Sequence, residues 1–263
     1  MVGKPTPEEL ERRREELRQK AIASFPYARV QVPGDQALAT WTHIGASGQG
    51  SPVVVGDDEM LFRHAETVSE RPGVVKRTPA QILEVAAPLH HPDDLMSRRS
   101  RELEAINAKL RERRPEMAPL EMRRPRVGDW PTMAPRSPEL SVAFGLRTRA
   151  PLVVTHVVTV PTNDWTTIPA YLHWGGWNGC PAPEYHIAAL RSWRDRFGAE
   201  LVGLGADVMN IRVQRRPETR EAAFDLAREQ YLYCEDIIDQ GVETLSALAA
   251  MLMESDWWFF WWD

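Results

Sequence analysis

Cysteine is scarce in this chain of 263 residues: Cys180 and Cys234 are the only two, and no C-x-x-C pair is spelled. A disulfide framework is thereby excluded, and a reducing compartment would keep both side chains as thiols. Long apolar runs are also missing. The first twenty residues, "MVGKPTPEELERRREELRQK", hold no apolar core of the signal-peptide kind, and no stretch of about 18 apolar residues occurs. The expectation is a cytoplasmic protein with no membrane partner. Lysine is nearly absent, 4 against 28 arginines, which reads as genome composition rather than function. An excess of positive charge is missing where a nucleic-acid binder needs it. Residues 151–263 carry 16 acidic and 8 basic side chains, a balance of −8, and residues 1–150 carry 21 and 24, a balance of +3. A −8 region repels phosphate backbones, so general nucleic-acid binding is not expected. No internal repeat is present.

What is there alternates helical and extended signals. Thr6-Pro7-Glu8-Glu9 is a capping box with proline in the first turn, opening a helix to about Ser24 whose narrow apolar stripe (Leu10, Leu17, Ala21) suits a solvated arm. A strand over Ala28 to Val32, a helix from about Asp35 to Trp41, a glycine-rich turn and the apolar run Pro52 to Val55 follow. Thr78-Pro79-Ala80-Gln81 repeats the capping pattern, and its helix is interrupted at Pro92 and resumes through Leu110. Between Arg113 and Pro151 seven prolines and no sustained period mark a linker or wrapping segment. Beyond it, "PLVVTHVVTV" reads as a strand and Pro183 to Phe197 as a helix. Ala199 to Val213 reads as a hairpin turning at Gly205-Ala206-Asp207, with two helices and a last strand after it. The fold class expected is α+β. A C-terminal domain (151–263) with a mostly antiparallel sheet flanked by helices is preceded by a helical arm (1–25), a smaller α/β region (26–113) and the linker (114–150). The closing "WWFFWWD" is expected to complete that sheet as a strand buried on both faces.

Motifs with chemical content are few. "GASGQG" precedes its strand and lacks the ending of a phosphate loop, so it reads as a turn. Asp57, Asp58 and Glu59 follow a strand where carboxylates can hold Mg²⁺, yet Asp57 is equally a helix cap. "HHPDD" has metal-ligand residue types on a helix restart. The densest cluster is "YLHWGGWNGCPAPEYH". It is a glycine-hinged loop presenting His173, Trp174, Trp177, Asn178 and Cys180, leading into a helix with Glu184 in its first turn and His186 heading a core stripe of Leu190, Trp193 and Phe197. Cys180 is nucleophilic only if the helix N-terminus or a protonated histidine lowers its pKa. With Cys234 and His186 it supplies half a zinc site at most. A second cluster, "AREQYLYCEDIIDQG", places Glu229, Tyr233 and Asp236 at spacings of four and three, with Gln240 beyond. Two carboxylates and a phenol serve either general acid/base chemistry or a polar network. No metal site and no cofactor is expected.

The segments "GGWNGCPAPEYHIAALRSWRDRFGAELVGL", "AREQYLYCEDIIDQG" and "WWFFWWD" together resemble the bacterial domain-of-unknown-function family numbered 4253, and "VPGDQALATW" and "GSPVVVGDDE" resemble the N-terminal region of its longer members. The resemblance brings no reaction, cofactor or catalytic residue. It implies an intracellular bacterial protein in which loop, acidic helix end and aromatic tail belong to one unit. Two functional classes follow. One is a binding module, for instance of the immunity type that neutralises a partner protein by docking an acidic face. The other is a small hydrolase or transferase using Glu229 and Asp236 with His173 or Cys180. The first is the expectation, with the set His173, Trp174, Trp177, Asn178, Cys180, Glu184, His186, Glu229, Tyr233, Asp236 and Gln240 as the candidate binding residues. The composition leaves the oligomeric state open.

Overall fold

Residues 6–69, 75–145 and 147–263 are described by a computed structural model. The capping boxes form as their sequence demands. The Thr6 hydroxyl accepts from the Glu9 amide at 3.2 Å and Glu9 Oε2 accepts from the Thr6 amide at 2.9 Å, starting α1 (Pro7–Ala23). Thr78 and Gln81 repeat the exchange at the start of α4 (Pro79–Ala86), and α5 (Asp93–Arg113) follows. In α1 only Ile22 is buried, the exposed arm the charge pattern requires. The helix after β1 (Ala28–Val32) does not stop at Trp41. A 3₁₀ turn leads into α2 (Ala37–Ser47), which continues because Leu38, Trp41 and Ile44 keep one face on the sheet, and it ends where Gly48 turns left-handed at φ 67°. Asp57 caps α3 (Asp58–Val68) after β2 (Ser51–Gly56), accepting from the Glu59 and Met60 amides at 3.0 Å.

The C-terminal elements come in the expected order, β3 (Thr155–Val160), α7 (Pro183–Phe197), the hairpin β4 (Glu200–Leu204) and β5 (Val208–Arg212), α8 (Arg220–Tyr233), α9 (Leu245–Glu254) and β6 (Trp257–Trp261), with the short, unanticipated α6 (Ile168–Tyr171) between β3 and α7. The strands make one six-stranded sheet in the order β1-β3-β2-β4-β5-β6. Every pairing is antiparallel except β2 with β4, which meet in parallel at Val54 and Gly203. The fold is α+β. The strands of the early region form no sheet of their own: β3 lies between β1 and β2, so both sides of the proline-rich segment share one sheet.

Alternate residues feed two cores. Val53, Val55, Val158, Leu201, Met209, Trp258 and Phe260 pack with α7, α8 and α9 in the larger one. Val54, Val157, Val202 and Val208 face a thinner layer made of α2 and the turn at Leu140–Ala143. This asymmetry corrects the expectation for the aromatic tail. β6 is an edge strand; Trp258, Phe260 and Trp262 are at most 2% exposed, whereas Trp257, Phe259 and Trp261 are half-covered because the layer on their side is thin. The open edge is capped at its two ends. The Ser255 hydroxyl bridges the Trp257 amide and carbonyl at 3.0 Å each, the Cys234 thiol donates to the Trp261 carbonyl at 2.9 Å, and the Asp263 amide donates to Asp236 at 3.2 Å.

The proline-rich segment wraps rather than dangles. The Arg126 and Val127 carbonyls accept from the Leu245 and Ser246 amides at 2.8 and 2.9 Å, satisfying the open first turn of α9. Trp130 packs edge-on to Phe224 at 5.9 Å beneath the Arg220 guanidinium. Among the described residues no helix is long and apolar enough to cross a membrane.

Candidate functional site

The loop between α6 and α7 needs unusual backbone. His173 and Asn178 have φ of 49° and 39°, and Gly175, Gly176 and Gly179 have 111°, 90° and 77°. Glycine is forced at 175, where a Cβ would strike the Pro181 carbonyl oxygen and stand 2.6 Å from His186 Nε2. The loop folds back through Gly176 N–H to Pro181 O at 2.9 Å and Cys180 N–H to Trp177 O at 2.6 Å. Its two tryptophans then part company. Trp174 goes down, 2% exposed, and donates its indole N–H to the Gly205 carbonyl at 2.8 Å. Trp177 stays partly exposed, edge-on to Trp174 at 5.1 Å.

Below the loop the two predicted clusters meet. His186 accepts or donates on both nitrogens: Nε2 is 3.4 Å from Cys180 Sγ, and Nδ1 is 2.5 Å from the Tyr233 hydroxyl. Trp174, Trp262 and Tyr233 ring the imidazole with centroids at 4.7, 5.7 and 5.4 Å. Burial controls the chemistry. It lowers the His186 pKa to about 3, and it raises the Cys180 thiol and the Tyr233 phenol above their ordinary values. At neutral pH thiol, imidazole and phenol are therefore all uncharged. The condition for a nucleophilic Cys180 is not met, since desolvation outweighs the Gly176 backbone hydrogen bond and the Arg99 charge that pull its pKa down.

The remaining candidates are held elsewhere. The Glu229 carboxylate is reached by Trp193 Nε1 at 2.6 Å and by Arg196 at 2.8 Å, with His91 Nε2 3.2 Å away at an angle that makes no hydrogen bond. Burial pushes its pKa up, but the nearby His91, Arg196 and Trp193 outweigh that and the net shift is down. Glu184 is gripped by both nitrogens of Arg77, at 3.2 and 2.8 Å. His173 is half-buried, and burial, then Lys76 and Arg77, lower its pKa. Asp236 is not on the Glu229–Tyr233 face. α8 ends at Tyr233, Cys234 is extended (φ −146°), and a π turn over Ile237–Val242 carries the chain away, so Asp236 binds Gln240 at 2.9 Å and the end of β6 instead.

Three histidines with buried rings lie outside the sequence-derived set. His91, from "HHPDD", is buried between Trp193 and Tyr233 at 5.2 and 6.0 Å. His64 gives its Nε2 to the Leu204 carbonyl at 2.8 Å, and burial brings its pKa down to about 4. His156 meets Asp58 at 2.6 Å. Among the described residues no group of three or more His, Cys, Asp or Glu side chains has the geometry to hold a metal ion.

Above this sealed layer the surface opens on both sides of the loop. One groove, of about 610 Å³, lies between α3, the loop, the β4–β5 turn and the end of β6. A smaller one, of about 230 Å³, lies between the loop and α5 at Arg98 and Arg99. Trp177 and Asn178 line both. No curated protein and no solved structure matches the chain. A family model matches residues 156–263, a span that takes in most of β3, the loop, α7, the hairpin, α8, α9 and β6 but leaves β1 and β2 outside. The C-terminal region that carries the site, residues 156–263, is thus similar to the family described as a domain of unknown function, DUF4253.

Proposed function

We propose that the protein is a bacterial, cytoplasmic binding module that docks a partner protein through the Trp174–Pro181 loop, in the manner of a chain that neutralises its partner. One observation carries the reading: reactive groups and exposed groups are segregated. Cys180, His186 and Tyr233 are neutral and spent on each other under the surface. Glu229 and Glu184 are held by arginines. Trp177 and Asn178 line both grooves, held out on a loop whose left-handed dihedrals at His173 and Asn178 fix its course. A partly exposed tryptophan at a pre-organised loop is the kind of group that anchors a protein interface. The hydrolase or transferase reading needs Glu229, Asp236 and His173 or Cys180 around one substrate, and their hydrogen bonds take them to different neighbours.

The test is capture from the native host with the tagged chain and with a Trp177→Ala/Asn178→Ala variant. The variant is expected to melt within a few degrees of the parent and to lose the specific partner. Equal capture by a folded variant overturns the reading.

A further inference from the structure

We infer that the cleft beside the glycine-rich turn at residues 45–50 binds a neutral saccharide. The cleft is separate from the two docking grooves. Glu200, the first residue of β4, and Arg212, the last of β5, line it, whereas the larger docking groove lies at the Ala206–Asp207 turn, the other end of the same hairpin. Its volume is about 460 Å³, within the range of small-molecule sites.

The backbone here disfavours an anion. α2 ends at Ser47, and Gly45, Ala46 and Gly48 line the cleft, so it sits at the negative end of the helix dipole, beside carbonyls of the last turn that lack an intrahelical partner. Such carbonyls accept from hydroxyl groups and repel phosphate. The side chains add no net charge. Among the described residues two titratable groups line the cleft, and they cancel: Arg212 Nη2 donates to Glu200 Oε2 at 2.9 Å. The Arg212 guanidinium also lies over Trp41, 5.4 Å from the ring centroid, and the Trp41 indole N–H is tied to the Pro52 carbonyl at 2.9 Å, so this wall is fixed in place.

Two further lining groups are unspent. Trp165 is partly exposed, and neither its indole N–H nor the Asn163 side-chain amide has a hydrogen-bond partner among the described residues. Indole surface, a free amide and a neutral pair of planar charged groups match a pyranose. The C–H face of the sugar packs on an indole, whose face carries the negative end of the ring quadrupole. Each sugar hydroxyl both donates and accepts, so it can meet helix carbonyls, Glu200, Arg212 and Asn163 in turn. A charged ligand finds no uncompensated partner here, and a purely apolar one strips water from the Asn163 amide without replacing it.

The experiment titrates the full chain with glucose, galactose, mannose and N-acetylglucosamine, each also as its methyl glycoside, and separately with adenosine. Concentrations reach about 50 mM, well above a Kd of about 1 mM. Indole N–H resonances are followed by NMR, with Trp165 and Trp177 assigned through Trp165→Phe and Trp177→Phe. At least one saccharide is expected to shift Trp165 along a saturable curve and to leave Trp177 in place. Binding of a methyl glycoside means that a linked unit of a glycan is accepted, and binding of the reducing form alone means a free sugar; either supports the inference. Asn163→Ala and Glu200→Ala, each with an unchanged melt, are expected to weaken binding about fivefold. The inference is overturned if no saccharide gives a saturable shift at Trp165, if adenosine binds there as tightly as the best saccharide, or if both variants keep full affinity.

Discussion

His186 Nδ1 and the Tyr233 hydroxyl oxygen lie 2.5 Å apart, tying the first turn of α7 to the last residue of α8. The bond forms only while the imidazole stays neutral enough to live without water, and that ties stability to pH. His186 and His64 both have pKa values lowered by burial, to about 3 and about 4 from 6.5. Above pH 6.5 folded and unfolded chains both carry neutral rings, and the contribution is complete. As pH falls below 6.5 the unfolded chain takes up protons that the fold refuses, so stability must fall. Two such groups cost roughly 3 kcal/mol between pH 6.5 and 5. Denaturant melts across that range are expected to show the loss, and His186→Gln should remove about half the slope. A flat profile would mean that the rings titrate alike in both states.

The aromatic tail should show its two faces in mutational cost. Phe260 is fully buried and stacks on Trp193 at 5.3 Å with an interplanar angle of 2°, whereas Phe259 is half-covered. Phe260→Ala is expected to cost about 3–5 kcal/mol, and Phe259→Ala about 1–2 kcal/mol. Chemical denaturation decides it, and equal costs would contradict the one-sided burial of β6.

Trypsin should cut first at the arginines between Arg113 and Arg124, where the chain is largely exposed and still ahead of the Arg126 and Val127 anchors on α9. The two pieces are expected to co-migrate on gel filtration, because β3 from the second is hydrogen-bonded on both sides to strands of the first. Separation of the fragments without denaturant would show that the halves fold independently.

Much of this was legible because it is local. Caps at Thr6, Asp57 and Thr78 are decided within four residues, and the hairpin of β4 and β5 by its turn. Cys180 and His186 fall in one short stretch, so their meeting was readable as a cluster. What failed was decided across the chain. His91 takes its place from Trp193 and Tyr233, more than 100 residues away, and His156 from Asp58, 98 away. Alternation along "WWFFWWD" established a strand and its two faces. Whether both faces would be covered depended on where the strand sat in the sheet, and no pattern within seven residues encodes that. Asp236 was misplaced for a local reason. The break after Tyr233 has neither glycine nor proline to announce it.

The position of β3 also sets a schedule for the ribosome. β1 and β2 do not pair with each other; each waits for a strand that begins at Thr155. At synthesis rates of about 5–20 residues per second, the β2 sequence, fully buried in the finished fold, leaves the peptidyl-transferase centre roughly 5–20 s before its partner is made. During that interval the early strands have no sheet to join, and their apolar residues are substrates for chaperones. A nascent chain stalled before β3 should therefore be far stickier than one stalled after it.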